Sequence, residues 1–430
     1  MSILITLTED PLLRSWFYSD KGKLISKIAD QKPIFILCSE KEELRLRDFL
    51  TINKLDLNRI QLIAFENQPL NFNQKFLGSI LRWSQKSEGS KRLRYLFFEK
   101  GKFGLVGLLT RSLLSNTIGS SRKLLRFVRW LYSLNVDSYY SDLIDKTNCD
   151  LVICTSLTDT HPDSELLNAA KKKKVRTIGT PRSWDNLVSH GALRVLPEKF
   201  LSHSQYMTEC ATKYQFIEKK TIFETGTSTY RKEFLPNRRK SINQDQVSIA
   251  IGCVGPNSNP SEFAFISHLI PKIQEKFCNI DITIIQHPRF PHKQKFDFIN
   301  VKDISFEFTE FDSLKHYYET LNTFDLLLTS GSTIGLDAAF VGTSVECFFV
   351  DLIDVGYWAS SSRYLTHRTH YKDFINILKI KTHFSMESVL SAIFSIPTGC
   401  VSSVENPVFF TGYPKYDFNF EIIKSLGVKL

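Results

Sequence analysis

Leu326–Phe349, LLLTSGSTIGLDAAFVGTSVECFF, decides how this 430-residue chain is read. Leu326–Leu328 predict a buried strand, Thr329–Ser332 a small-residue turn, and Thr333 the start of a helix; a second strand, Ser344–Phe349, follows Gly342. Strand, turn, helix and strand in that order is the repeating unit of a parallel α/β sheet. Ser330, Gly331 and Ser332 let a ligand approach the backbone, and a helix start presents unpaired N–H groups with partial positive charge. A phosphate or diphosphate suits that turn, with Ser and Thr hydroxyls as further donors. An ordinary junction in which Ser332 or Thr333 merely caps the helix stays open.

Outward from this stretch the same alternation recurs. Ser2–Leu7, Pro33–Cys38 and Ile60–Phe65 predict strands, with helices over Leu12–Ala29 and Lys41–Phe49. A basic stretch interrupts the series, which resumes with strands at Leu151–Ser156, Val175–Thr180, Lys199–Ser204 and Thr221–Thr225 and a helix over Asp163–Lys174. Pro236–Gln246 is polar and starts with proline, as a linker would. Beyond it come strands at Val247–Cys253 and Asp281–Gln286 and helices over Ser261–Phe277 and Ser313–Leu321. The expected fold is α/β, with two doubly wound Rossmann-like domains facing a central cleft. The expected divisions are 1–240, with a basic insertion over about 75–135; 246–397; and a segment 398–430 that returns toward the first domain.

Candidate site residues fall where such sheets bind ligands, at the C-terminal ends of strands. His287-Pro288-Arg289, with His292 and Lys293, follows one strand, and Gly255 and Asn257 follow another. A histidine there can bind a phosphate or pass a proton to a departing one. Asp337, roughly one turn into the helix, suits a ribose or a structural hydrogen bond. In the first half Trp184-Asp185-Asn186 follows Val175–Thr180, and His190 lies just beyond. Trp184 and Asn186 have the composition of a sugar-binding edge, and Asp185 and His190 are candidate bases. Equally open is an Asx turn with Trp184 plugging the core. No metal-ligand spacing is present, so no tightly bound metal is expected.

Charge is concentrated. Thirteen Lys or Arg between Lys75 and Arg129 face only Glu88 and Glu99, whereas the whole chain carries +10. Aromatic and aliphatic residues interleave them; in Arg122–Leu134, Leu124, Phe127, Val128 and Leu131 take one helical face and Arg122, Arg126 and Arg129 another. That pattern fits an anionic membrane surface, with a solvated basic face as the plain alternative. No nucleic-acid signature accompanies it, and no nucleic-acid partner is expected. The N-terminus has no basic n-region and predicts a first strand. Eight scattered cysteines without a CxxC predict reduced thiols in the cytoplasm.

His287-Pro288 after a strand, the TSGSTIGLDAAFVG turn and helix, and TIGTPRSWDNLVSHG with Glu224–Thr227 together resemble the GT-B glycosyltransferases of bacterial surface polysaccharides. The nearest in kind are those with HP and Ser motifs: bacterial sialyltransferases, Kdo transferases and CDP-glycerol glycerophosphotransferases. The resemblance spans about Leu151–Val350. It implies that His287, Ser330, Ser332 and Thr333 hold nucleotide phosphates and ribose. The chain has Ser189-His190-Gly191 where the glycerophosphotransferases carry Trp-His-Gly, and it lacks the acidic-acidic-Gly motif of many sialyltransferases. The expectation is a metal-independent glycosyltransferase with no cofactor beyond its nucleotide-activated sugar (CMP-, CDP- or UDP-linked). Its acceptor would be a glycan or lipid-linked glycan at the inner face of the cytoplasmic membrane. Alternatives are a polyol-phosphate transferase, a sugar-nucleotide 2-epimerase and a non-catalytic binding protein.

Overall fold

A computed structural model describes residues 2–66, 68–157, 162–227, 229–235, 247–277, 280–331, 333–354, 356, 358–396, 404–405 and 407–412. The first sheet holds β1 (Ser2–Thr6), β2 (Ile34–Cys38), β3 (Ile60–Ala64), β4 (Cys149–Cys154), β5 (Arg176–Gly179), β6 (Lys199–Ser202) and β7 (Ile222–Glu224), in the order β3-β2-β1-β4-β5-β6-β7. The second holds β8 (Val247–Gly252), β9 (Ile280–Ile285), β10 (Val301–Ile304), β11 (Leu326–Thr329), β12 (Ser344–Phe348) and β13 (Lys381–His383), in the order β10-β9-β8-β11-β12-β13. Every pairing is parallel. Parallel sheets are covered by helices on both faces, and their inner strands are therefore apolar throughout. SILIT in β1 and LLLT in β11 are buried along their whole length. The expected fold class, two doubly wound halves, is the one observed.

Elements that the sequence pattern missed lie mostly at the edges. β10 (VKDI) exposes Lys302 and Asp303; charges blunt an edge strand and erase its apolar run. The single helix expected over Leu12–Ala29 is two, Asp10–Trp16 and Lys23–Gln31. Between them Lys21 and Gly22 take positive φ, and Asp20 accepts from the Gly22 and Leu24 N–H groups, which starts the second helix anew.

The basic stretch folds as four insertion helices, Phe72–Ser84, Glu88–Glu99, Leu105–Thr117 and Arg122–Ser133. They occupy the connection from the edge strand β3 back to β4 beside β1. The expectation that Arg122, Arg126 and Arg129 share an outer face needs correction. Arg122 and Arg126 are exposed and pair with Glu218. Arg129 is buried, donating to the Leu193 and Gln215 carbonyls and to Gln215 Oε1, and burial lowers its pKa to about 9. The apolar residues divide too: Leu125, Val128 and Tyr132 point inward, whereas Leu124, Phe127 and Trp130 are exposed. Both sides of this helix are apolar, so periodicity alone does not say which is covered.

The second insertion helix bridges the halves: Arg92 donates to the Ala359 and Ser258 carbonyls, and Thr369 Oγ1 accepts from the Glu88 backbone N–H at 3.3 Å. Near the C-terminus, Phe410 packs on Trp184 and Tyr206 of the first half. The linker expected at 236–246 and the returning segment Tyr413–Leu430 lie outside the described residues. Among those described, no helix is long and apolar enough to cross a membrane.

Candidate functional site

Each sheet reverses its strand order once, between β1 and β4 and between β8 and β11. At such a point, loops leaving the carboxyl ends of neighbouring strands diverge to opposite faces and open a crevice. Most of the residues singled out from sequence sit on loops at these ends.

In the C-terminal half the organiser is a residue the sequence reading passed over. Glu262 is buried at the start of the helix Glu262–Lys276. Its carboxylate accepts from the backbone N–H of Val254 (3.0 Å) and Gly255 (2.9 Å) and from Ser330 Oγ (2.8 Å), and His292 Nε2 lies 2.9 Å away. Three segments are thereby drawn together. Ser330 and the cradle at Gly255 consequently spend their donors on protein rather than on a ligand, against the expectation for both. Gly255 is required as glycine: φ is +81°, and a Cβ would stand 2.3 Å from the Phe290 carbonyl oxygen. Cys253, Glu262 and His292 bring one ligand atom each within 4.8 Å of one another. Because N–H and O–H donors already converge on the carboxylate, this trio is a hydrogen-bonded hub and not a ready cation site.

What remains for a ligand is the start of the helix Thr333–Val341. Thr333 is exposed there, while the rest of that helix is buried. Gly331 has φ +92°, and a Cβ would stand 3.3 Å from the Tyr371 ring. Ser332 lies outside the described residues. His287 is half-buried, and its Nδ1 accepts from the Arg289 and Phe290 N–H groups, both at 3.1 Å. That leaves the proton on Nε2. Burial, aided by Arg289, lowers the His287 pKa. The group is therefore a neutral hydrogen-bond donor at neutral pH, which corrects the expectation that it delivers a proton. Pro288 and Asn257 are exposed on the neighbouring loops.

Of the two roles open to Asp337, the structure shows the structural hydrogen bond. The residue is buried and accepts from the Tyr230 and Tyr317 hydroxyls, each at 2.7 Å. Burial raises its pKa, opposed by Arg14 and by those hydroxyls. Tyr230 comes from the first half and Tyr317 from the second, so Asp337 pins the halves together through both of its oxygens.

In the N-terminal half Trp184 is buried among Tyr206, His370, Phe374 and Phe410, with ring centroids 5.4–6.2 Å away. No indole face is left for a sugar. Asn186 is also buried, its Oδ1 accepting from the Ser183 N–H at 2.8 Å, which builds the turn. The acceptor-binding expectation for this pair gives way to a structural one. Asp185 is half-buried and accepts from Ser189 Oγ at 2.9 Å. Burial raises its pKa, but His370, His190 and hydrogen bonds from Ser183 and Ser189 outweigh this and hold it well below the usual carboxylate range. A carboxylate so stabilised is a weak base.

Arg368 and Tyr371 were not anticipated. The Arg368 guanidinium lies 5.3 Å from the Tyr371 ring centroid, and its buried Nε has no partner among the described residues. Tyr371 also feels the charge of Asp185, which puts Gly331, Arg368 and Asp185 in one neighbourhood. Glu9, after β1, is the other omission: its Oε2 pairs with Arg182 after β5 and with Arg289 (3.1 Å) across the cleft. In sequence, Arg368-Thr369-His370-Tyr371 was the one signal, a basic and aromatic cluster without flanking glycine. Glu9 and Glu262 resemble ordinary acidic residues at helix starts.

No family model and no curated protein matches the chain. Solved structures do. The UDP-GlcNAc 2-epimerase of Neisseria meningitidis, bound to UDP-GlcNAc, aligns with a TM-score of 0.51 at 13% identity, covering 99% of both chains. The UDP-GlcNAc 2-epimerase of Methanocaldococcus jannaschii gives 0.50 at 14% identity, again over 99% of both. At these identities the likeness establishes the GT-B fold and no more.

Proposed function

We propose that this chain transfers a sugar from a CMP-, CDP- or UDP-linked donor to a glycan or lipid-linked acceptor, with the nucleotide sugar as co-substrate and no resident cofactor. One juxtaposition supports it above all. Gly331, beside the start of the helix Thr333–Val341, shares a neighbourhood, through Arg368 and Tyr371, with Asp185 and His190 of the opposite half. In this reading the donor phosphates sit on the helix start and meet Arg368 and the His287 Nε2–H, which stabilise the charge that grows as the sugar–phosphate bond breaks. His190 takes the proton of the acceptor hydroxyl as its oxygen bonds to the sugar. Asp185 orients that imidazole and stabilises its cation.

The acceptor side belongs at an anionic lipid surface. Phe72 and Phe76, Leu105, Leu109 and Leu113, and Leu124, Phe127 and Trp130 are exposed on three of the insertion helices, with Lys75, Lys102, Lys123 and Arg126 exposed beside them. Apolar side chains enter the interface and each nearby cation adds about 1 kcal/mol. Phe127→Ser with Trp130→Ser should release the protein from vesicles containing anionic lipid; equal partitioning onto neutral vesicles would refute this placement.

A second reading, a sugar-nucleotide 2-epimerase, is favoured by the full-length fold likeness to two such enzymes. The two separate when nucleotide sugars are followed by NMR without acceptor. An epimerase yields a new sugar with the nucleotide still attached. A transferase releases nucleotide only when an acceptor fraction is added, and absence of both reactions would overturn both readings.

A further inference from the structure

A polar cavity of about 720 Å³ opens between the second and third insertion helices, the helix Gln205–Gln215 and Thr369. Lys86, Lys91, Arg94 and Lys213 line it, with Glu88 as the one acid among its lining residues. Lys91 and Glu88 lie 3.4 Å apart at the exposed rim. Arg94 differs from the lysines. It is only 6% exposed, and neither Nε nor Nη1 has a hydrogen-bond partner among the described residues. Leaving two buried guanidinium nitrogens without acceptors is costly, and an anion in the cavity would supply them. Ser112 and Asn116 lie one turn apart on the cavity side of the third insertion helix. The same helix exposes Leu105, Leu109 and Leu113 to solvent. One helix thus carries a polar face toward the cavity and an apolar stripe outside it.

We propose that this cavity is a binding site for a phosphoryl anion, a phosphate or diphosphate group, with Arg94 as its fixed, fork-shaped donor and the lysines as its rim. Guanidinium geometry matches phosphate oxygens in pairs, and the lysines add charge without fixed geometry. The anion is either free in solution or carried on a lipid, whose chain would run along the apolar stripe.

Its lining includes none of Gly331, Arg368, Tyr371 and His287, and its test runs on the full chain with the donor cleft saturated by UDP. Inorganic diphosphate is titrated by calorimetry into the wild type, into Arg94→Gln, and into the Lys91→Gln, Lys213→Gln double variant, whose changed residues are both exposed. Binding should persist in the wild type with UDP present, weaken about tenfold or more in Arg94→Gln, and weaken severalfold in the double variant at an unchanged melting temperature. A short-chain prenyl diphosphate binding much more tightly than diphosphate identifies a lipid-linked anion; equal affinities identify a soluble one. No binding once UDP is present, or equal binding by all three proteins, would overturn the site. If UDP itself fails to bind, the donor reading falls, yet the diphosphate titrations still report on Arg94.

Discussion

The two halves of the molecule secure their strand-end loops by different means. In the C-terminal half one buried carboxylate, Glu262, gathers donors from three segments. In the N-terminal half Glu9 pairs with Arg182 of its own half and reaches across the cleft to Arg289, whose side chain is 43% exposed. Buried donors deprived of an acceptor cost about 1–3 kcal/mol each, whereas a solvent-facing ion pair is worth about 0–1 kcal/mol. One half therefore offers a preformed, rigid cradle. The other is tied to it by an ion pair whose Arg289 end faces solvent.

The largest effects follow from removing the buried hub. Glu262→Ala strands the Val254 and Gly255 N–H groups and the Ser330 hydroxyl, and should lower unfolding free energy by about 3 kcal/mol or more in urea titrations. A loss below about 1 kcal/mol would show that the three segments hold together without it. On the opposite wall, His190→Ala should cut turnover by about 10²–10⁴ with donor affinity kept. Asp185→Asn should lower turnover while leaving an active imidazole behind, so the two variants differ; an inert His190→Ala substitution would move the base elsewhere.

A pH titration sharpens the contrast further. A histidine with its pKa lowered stays neutral through the ordinary imidazole range and gains its proton only below it. Nucleotide affinity should consequently show no His287-dependent step near pH 6.5, the unperturbed value of about 6.5 being the point of comparison. A step there that disappears in His287→Ala would make the group a cation in its working state. Smallest of all is Glu9→Gln. Releasing Arg182 and Arg289 should change stability by no more than about 1 kcal/mol and tighten nucleotide binding slightly; weaker binding would mean that Glu9 holds those cations in place for the ligand.

Legibility in the sequence followed the same division. Inner strands such as Ile249–Ile251 and Leu326–Leu328 are apolar because both their faces are covered, and their positions could be read directly. Gly331 and Thr333 announced themselves as a turn and a helix start. Glu262 did not, because nothing local distinguishes a carboxylate at a helix start from one that four distant donors will find. Trp184 misled for a related reason: its polar neighbours in sequence are not its neighbours in space, which are Tyr206, Phe374 and Phe410. In the insertion, charge was legible but burial was not, since Arg129 and Arg126 look alike until Gln215 packs beneath one of them.

The most direct test of the donor cradle is a titration of UDP, CDP and CMP into the wild type, His287→Ala and Arg368→Ala. At least one nucleotide should bind the wild type, and each variant should bind it about tenfold or more weakly, the loss of one charge-assisted hydrogen bond being worth about 1.5–3 kcal/mol. No heat with any nucleotide, or equal affinity in all three proteins, would contradict a nucleotide-sugar site at the start of the helix Thr333–Val341.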